Sequence, residues 1–139
     1  VLIDKAIGEA GDIDTAIITL KMKNGTLAVI DNSRQSAYGY DQRAEVFGSL
    51  GQVAVENDIA SSAVISNAEG VTGEKPLFFF LERYMQAYAQ EVTEFIDAIV
   101  NSTDTPVNAE DGLQAVLIGV AATKSLHENR PVKLSEIKF

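Results

Sequence analysis

From Asp12 apolar residues alternate with polar ones, and from Leu81 onward they recur at every third or fourth position. A period of two belongs to strands and one near 3.6 to helices. Strands first and helices last predict an α+β domain, with a mostly antiparallel sheet and two C-terminal helices packed on one of its faces. The 139 residues are read as one domain, 1–139, of a size that buries a real core.

Within the first half, Ala16, Ile18, Leu20 and Met22 alternate with Thr15, Ile17, Thr19, Lys21 and Lys23. Asn24-Gly25 follows, the pair suited to a two-residue type I′ turn. A second strand over 26–37 is expected, in a register that sets Lys23 against Thr26, Met22 against Leu27, Leu20 against Val29 and Thr19 against Ile30. That register gives one face of Leu20, Met22, Leu27 and Val29 and another of Ile17, Ala28 and Ile30. Both are apolar, and two helices can cover only one, so a second domain or subunit is expected on the other. Residues 1–11 read as an irregular lead-in. Further strands are expected over 43–48, 52–56, 63–67 and 71–74.

The first helix carries a stripe of Leu81, Tyr84, Met85, Tyr88, Val92, Phe95, Ile96 and Ile99 and ends near Val100. Asn108 is placed to cap the second, with Glu110 and Asp111 in its first turn. The buried stripe of that helix is Leu113, Val116, Leu117 and Val120. Asn129-Arg130-Pro131 stops it, and 132–137 is read as an extended tail.

Composition narrows the chemistry. Eleven Lys and Arg against 20 Asp and Glu leave a net charge of −9, which argues against nucleic acid as a partner. No Cys and one His exclude thiol catalysis and the usual zinc sites. The longest apolar run, 77–81, is far short of a membrane span. These features suit a soluble cytoplasmic protein. The chain starts at Val1 rather than Met and reads as a piece excised from something larger.

The candidate binding segment is the polar end of the second strand, running from Asp31 to Arg43. An unbroken strand there would point Asn32, Arg34, Ser36, Tyr38 and Tyr40 the same way, offering donors and planar surfaces to a polyhydroxylated or carboxylated ligand. The plainer alternative is a solvent-exposed strand end. Glu74-Lys75-Pro76 reads as a loop, and His127 as a cation favoured at a helix C-terminus. Glu91, Glu94 and Asp97 read as a solvated face. There is no Gly-x-Gly-x-x-Gly, no phosphate-binding Gly-Lys-Ser/Thr and no Gly-x-Ser-x-Gly.

The run Tyr38-Gly39-Tyr40-Asp41-Gln42-Arg43, continuing through Glu45 to Gly48 and Gly51, resembles the sheet segment of the myo-inositol 2-dehydrogenases. These belong to the glucose–fructose oxidoreductase/inositol dehydrogenase/rhizopine-catabolism (Gfo/Idh/MocA) family. Residues 82–88, 95–99 and 111–132 fit the same pattern. The resemblance implies a C-terminal α+β domain that meets an N-terminal Rossmann domain carrying NAD or NADP, with a polyol or sugar substrate between the two. It implies hydride transfer from a ring CH–OH carbon to the nicotinamide in the intact enzyme, and homo-oligomers formed through the sheet. The catalytic Lys and the Asp/His pair of the family lie outside this chain. So no catalytic, cofactor-binding or metal-binding residue is assigned here, and the chain alone is expected to be inactive. What carries over is substrate lining by Tyr40 and Tyr38, with Arg34, Arg83 and Tyr84 as further candidates near the same cleft. Another sugar oxidoreductase of the family, or a non-catalytic binding or dimerisation module, are the competing readings.

Overall fold

The structure is a computed structural model, which describes residues 4–138. Residues 1–3 of the expected lead-in lie outside the described part. The chain divides into two compact units, Val1–Ala89 and Gln90–Phe139.

The first unit begins with a short helix where an irregular lead-in was expected. α1 spans Lys5–Glu9, and the Asp4 carboxylate accepts the Ala6 N–H at 2.8 Å. That cap satisfies a backbone donor left orphaned at the helix start.

Strands β1 (Thr15–Lys21) and β2 (Leu27–Ser33) pair antiparallel, one residue out of the expected register: Leu20 faces Ala28, Thr19 faces Val29 and Ile18 faces Ile30. The turn is the reason. The chain reverses over Lys23, Asn24 and Gly25. The Met22 N–H donates to the Thr26 carbonyl at 2.9 Å, and the Gly25 N–H to the Met22 carbonyl at 3.0 Å. Gly25 has φ +90°, whereas Asn24 is not in the left-handed region. Instead the Asn24 side chain accepts the Thr26 N–H at 3.0 Å, a local bond that competes with the type I′ conformation. The shift regroups the faces. Ala16, Ile18, Leu20, Ala28 and Ile30 form a half-buried face. Ile17, Leu27 and Val29 share the other and are 72%, 67% and 65% exposed.

Two more hairpins follow close to the expected ranges. β3 (Ala44–Gly48) pairs with β4 (Gly51–Val55), and β5 (Val64–Asn67) with β6 (Gly70–Gly73). The antiparallel strands thus form three separate two-stranded sheets among the described residues. A lone bridge joins Ile59 to Pro76.

Helix α2 (Phe80–Asn101) has the expected amphipathic pattern, yet its stripe is uncovered. Met85, Val92, Phe95, Ile96 and Ile99 are each more than half exposed, and Ala98 is the buried residue of this helix. Periodicity fixes which residues share a face; it says nothing of whether that face is covered. In the second unit, α3 (Ala109–Glu128) opens on the expected cap: Asn108 Oδ1 accepts the Glu110 N–H at 2.8 Å, and Asp111 returns the favour to the Asn108 N–H at 2.9 Å. In place of an expected buried stripe, Val116 and Val120 are exposed and Ala121 is buried. Asn129, left-handed at φ 50°, ends the helix. The tail is not extended throughout, because Leu134–Glu136 forms a 3-10 turn. Glu136 accepts the Lys133 N–H at 2.9 Å and an Arg130 Nη2 bond at 2.8 Å, which curls the tail. Among the described residues no helix is long and apolar enough to cross a membrane.

Candidate functional site

The expected run of side chains along one long strand does not form. β2 ends at Ser33, and the chain turns at Ala37 and Tyr38, so strand parity no longer groups Arg34 with the tyrosines. Arg34 extends the hairpin ladder by one bond, its N–H donating to the Asp14 carbonyl at 2.8 Å. Its guanidinium reaches Asp12 at 2.8 Å.

The other four candidate residues meet in one node, within the first unit. Segment 38–43 is held along its backbone. The Tyr40 N–H donates to the Leu77 carbonyl at 2.8 Å, and the Leu77 N–H to the Asp58 carbonyl at 3.0 Å. Gly39, at φ +141°, lies against Pro76 where a larger residue has no room. The first turn of α2 supplies two side chains. Arg83, 9% exposed, places Nη1 3.0 Å from an Asp58 oxygen and donates from Nη2 to the Gln42 carbonyl at 3.1 Å. The Tyr84 hydroxyl donates to Gln42 Oε1. The Tyr40 and Tyr84 rings meet edge-on with centroids 5.6 Å apart, and Tyr88 extends the row at 6.3 Å, a favoured aromatic geometry. Burial, with Tyr40 beside it, pushes the Tyr84 hydroxyl above its usual range.

Asp41 is the centre of the node and was not among the expected residues. Its Oδ1 accepts Arg43 Nε at 2.8 Å and Asn57 Nδ2 at 2.6 Å. Its Oδ2 accepts Arg43 Nη2 at 2.9 Å and the Tyr38 hydroxyl. These bonds, Arg43 foremost and then Tyr38 and Asn57, hold the carboxyl far below the ordinary carboxylate range. Asn57 is committed on both ends, its Oδ1 accepting the Gln42 N–H at 2.8 Å. The sequence signal was the Asp-Gln-Arg run itself; its partner Asn57 lies too far along the chain for local pattern to reach.

Arg83 and Tyr84 both bond Gln42 of segment 38–43, in which Tyr38 is 49% exposed and Tyr40 half-buried. All three arginines of the segment and its support are paired, with Asp12, Asp41 and Asp58. The arrangement offers aromatic edges and hydroxyl oxygens with little free charge, which suits a neutral, hydroxyl-rich ligand. Elsewhere, Lys75 lies in a loop and His127 is exposed in the last turn of α3. In the second unit, Glu94, Asp97, Asn101 and Asp104 line a shallow cleft. Among the described residues no three His, Cys, Asp or Glu side chains are grouped to hold a metal.

The model of an oxidoreductase family's C-terminal alpha/beta domain, the Gfo/Idh/MocA type, matches residues 4–134. A myo-inositol 2-dehydrogenase of Thermotoga maritima is 48% identical over 137 residues, covering 99% of this chain and 41% of that protein. The crystal structure of a probable dehydrogenase from Thermotoga maritima superposes with a TM-score of 0.94 at 48% identity, over 99% of this chain and 41% of the other. A scyllo-inositol dehydrogenase from Lactobacillus casei, solved with bound NAD(H) and scyllo-inositol, gives a TM-score of 0.83 at 26% identity, over 94% and 38%. The chain thus spans about 41% of the length of the first of these relatives. On the match over 4–134, the chain belongs to the Gfo/Idh/MocA oxidoreductase family, as its C-terminal alpha/beta domain.

Proposed function

We propose that this chain is the substrate-facing and oligomer-forming domain of a full-length NAD- or NADP-dependent dehydrogenase that oxidises a hydroxyl of myo-inositol or a related polyol. The observation that supports this reading is that Tyr38, half-exposed, and Tyr40 stand on a segment whose backbone and side chains are held through Asp41, Gln42, Arg83 and Tyr84. Relatives that act on inositols match nearly the whole chain. Tyr40 and Tyr38 hold the ring and orient one carbon for reaction, which is where positioning lowers a barrier. Arg83 and Tyr84 keep the tyrosines in place.

The residues present do not fit a dinucleotide. Its pyrophosphate needs a glycine-rich strand-to-helix turn or free cations; the sequence has no such glycine pattern, and the arginines at this site, Arg34, Arg43 and Arg83, are committed to carboxylates. Cofactor binding falls to the N-terminal Rossmann domain of the full-length protein, and no chemical step is assigned to the residues described above. The exposed Ile17, Leu27 and Val29 face favours assembly with further copies.

The deciding experiment is NAD-linked oxidation of myo-inositol by the full-length protein, with Tyr40→Phe beside the wild type. Turnover is expected, with Tyr40→Phe raising KM for the polyol and leaving nucleotide affinity unchanged. No turnover on any inositol, or an unaltered KM in Tyr40→Phe, overturns the reading.

A further inference from the structure

We propose that Asp41 is a positioning residue: by accepting the hydrogen bond of the Tyr38 hydroxyl it leaves the Tyr38 oxygen as an acceptor toward the ligand, tuning the site to uncharged polyols over carboxylated sugars. This rests on the reading of Tyr38 and Tyr40 as ligand-facing.

A tyrosine hydroxyl has one proton to give. In Tyr38 it goes to Asp41, so what the half-exposed ring offers a ligand is oxygen lone pairs. A polyol hydroxyl can donate to them; a carboxylate has no proton to donate and meets the Asp41 charge behind them. Asp41 itself cannot bind ligand. A carboxylate has about four acceptor positions, and Tyr38, Asn57 and the two Arg43 bonds fill them. It acts through Tyr38. The depressed proton affinity of Asp41 keeps it an anion through the neutral range.

Arg43 decides the sign of the charge effect. Paired with Asp41, with Nε 2.8 Å from Oδ1 and its side chain 58% exposed, it presents no net charge. Asp41→Asn keeps the shape but leaves one acceptor oxygen, which the Arg43 Nε and Asn57 donors claim, so the new NH2 faces Tyr38. The Tyr38 proton is freed toward the ligand, and the Arg43 cation stands uncompensated beside it. Arg43→Gln does the reverse, leaving the anion.

The test uses the full-length protein, with D-glucose and D-glucuronate as neutral and anionic competitors of myo-inositol oxidation. In Asp41→Asn, KM for myo-inositol is expected to rise about fivefold, the affinity equivalent of one neutral hydrogen bond. The ratio of the glucuronate to the glucose inhibition constant is expected to fall by a similar factor, with NAD affinity unchanged. In Arg43→Gln that ratio is expected to rise, so the proposal stays testable if Asp41→Asn fails to fold. A purely structural Asp41 weakens both competitors alike, and an unchanged ratio in the folded variants overturns the proposal. Tyr40→Phe separates the two readings. A raised KM there with unchanged ratios sinks only the Asp41 role, while an unaltered KM there sinks the ligand-facing assignment beneath it.

Discussion

Gly39 sits so close to Pro76 that a Cβ placed on it would stand 2.6 Å from the Pro76 carbonyl oxygen. The obstacle is backbone, which cannot swing aside as a side-chain tip can. Gly39 also holds φ +141°, a conformation that L side chains rarely adopt. It lies between the two tyrosines, so a side chain added there displaces the backbone that carries both. Gly39→Ala in the full-length protein is expected to cost about 2–3 kcal/mol, the size of backbone strain plus overpacking. KM for the polyol should rise with it. Chemical denaturation and steady-state kinetics check the two halves, and an unchanged midpoint would show that segments 38–43 and 76–77 part easily.

The Arg83–Asp58 pair is lopsided, with the Arg side chain 9% exposed and the Asp side chain 65% exposed. Removing either member therefore has different consequences. Arg83→Met leaves an acid that water solvates. Asp58→Ala strands a buried cation. Loss of the acid is expected to cost about 2–3 kcal/mol and loss of the arginine about 1 kcal/mol less, since an uncompensated buried charge is the worse defect. Denaturation of both variants and the double mutant measures this; equal costs would mean that the pair is fully hydrated.

Glu136 gives a pH prediction. The Arg130 hydrogen bond, followed by the Lys133 N–H, lowers its carboxyl from 4.5 to about 2. A group with a lowered folded value stabilises fully above its unfolded value and loses that contribution as pH falls through the folded one. The stability gap between wild type and Glu136→Gln should thus be constant above about pH 5.5 and close between pH 4.5 and 2. Urea titrations across that range read it, and a gap that persists at pH 2 would contradict the Arg130–Glu136 link.

Ile17 and Val29 lie diagonally on the exposed face of the first hairpin, since Thr19 is the direct partner of Val29. Replacing both with Lys puts two charges where an apolar neighbour is expected. Sedimentation of the full-length double variant should show a smaller species than the wild type. An unchanged assembly would move the interface elsewhere.

The elements themselves were legible from the chain. The period change located the helices to within a residue or two, and Asn108 was readable as a cap because capping is local chemistry. The hairpin register was missed by one residue because Asn24 bonded the Thr26 N–H instead of adopting positive φ. Tyr38 and Tyr40 could be singled out by residue type. The bonds gathered on Asp41 could not be seen, because one of them comes from Asn57, 16 residues away. The Gln42–Tyr84 bond spans 42 residues. Periodicity also placed the α2 stripe correctly along one face while being silent on its cover.

The pairing of Arg34, Arg43 and Arg83 with three aspartates has a consequence for descent. Creating a cationic pocket from nothing requires a new arginine that finds both space and the right reach. Here the arginines already stand, each masked by one acid. A lineage under selection for acidic sugars needs only a single-base Asp-to-Asn codon change to unmask one, and a reversion restores the masked state. A change of net charge beside Tyr38 lies one mutation, Asp41→Asn, from the present sequence.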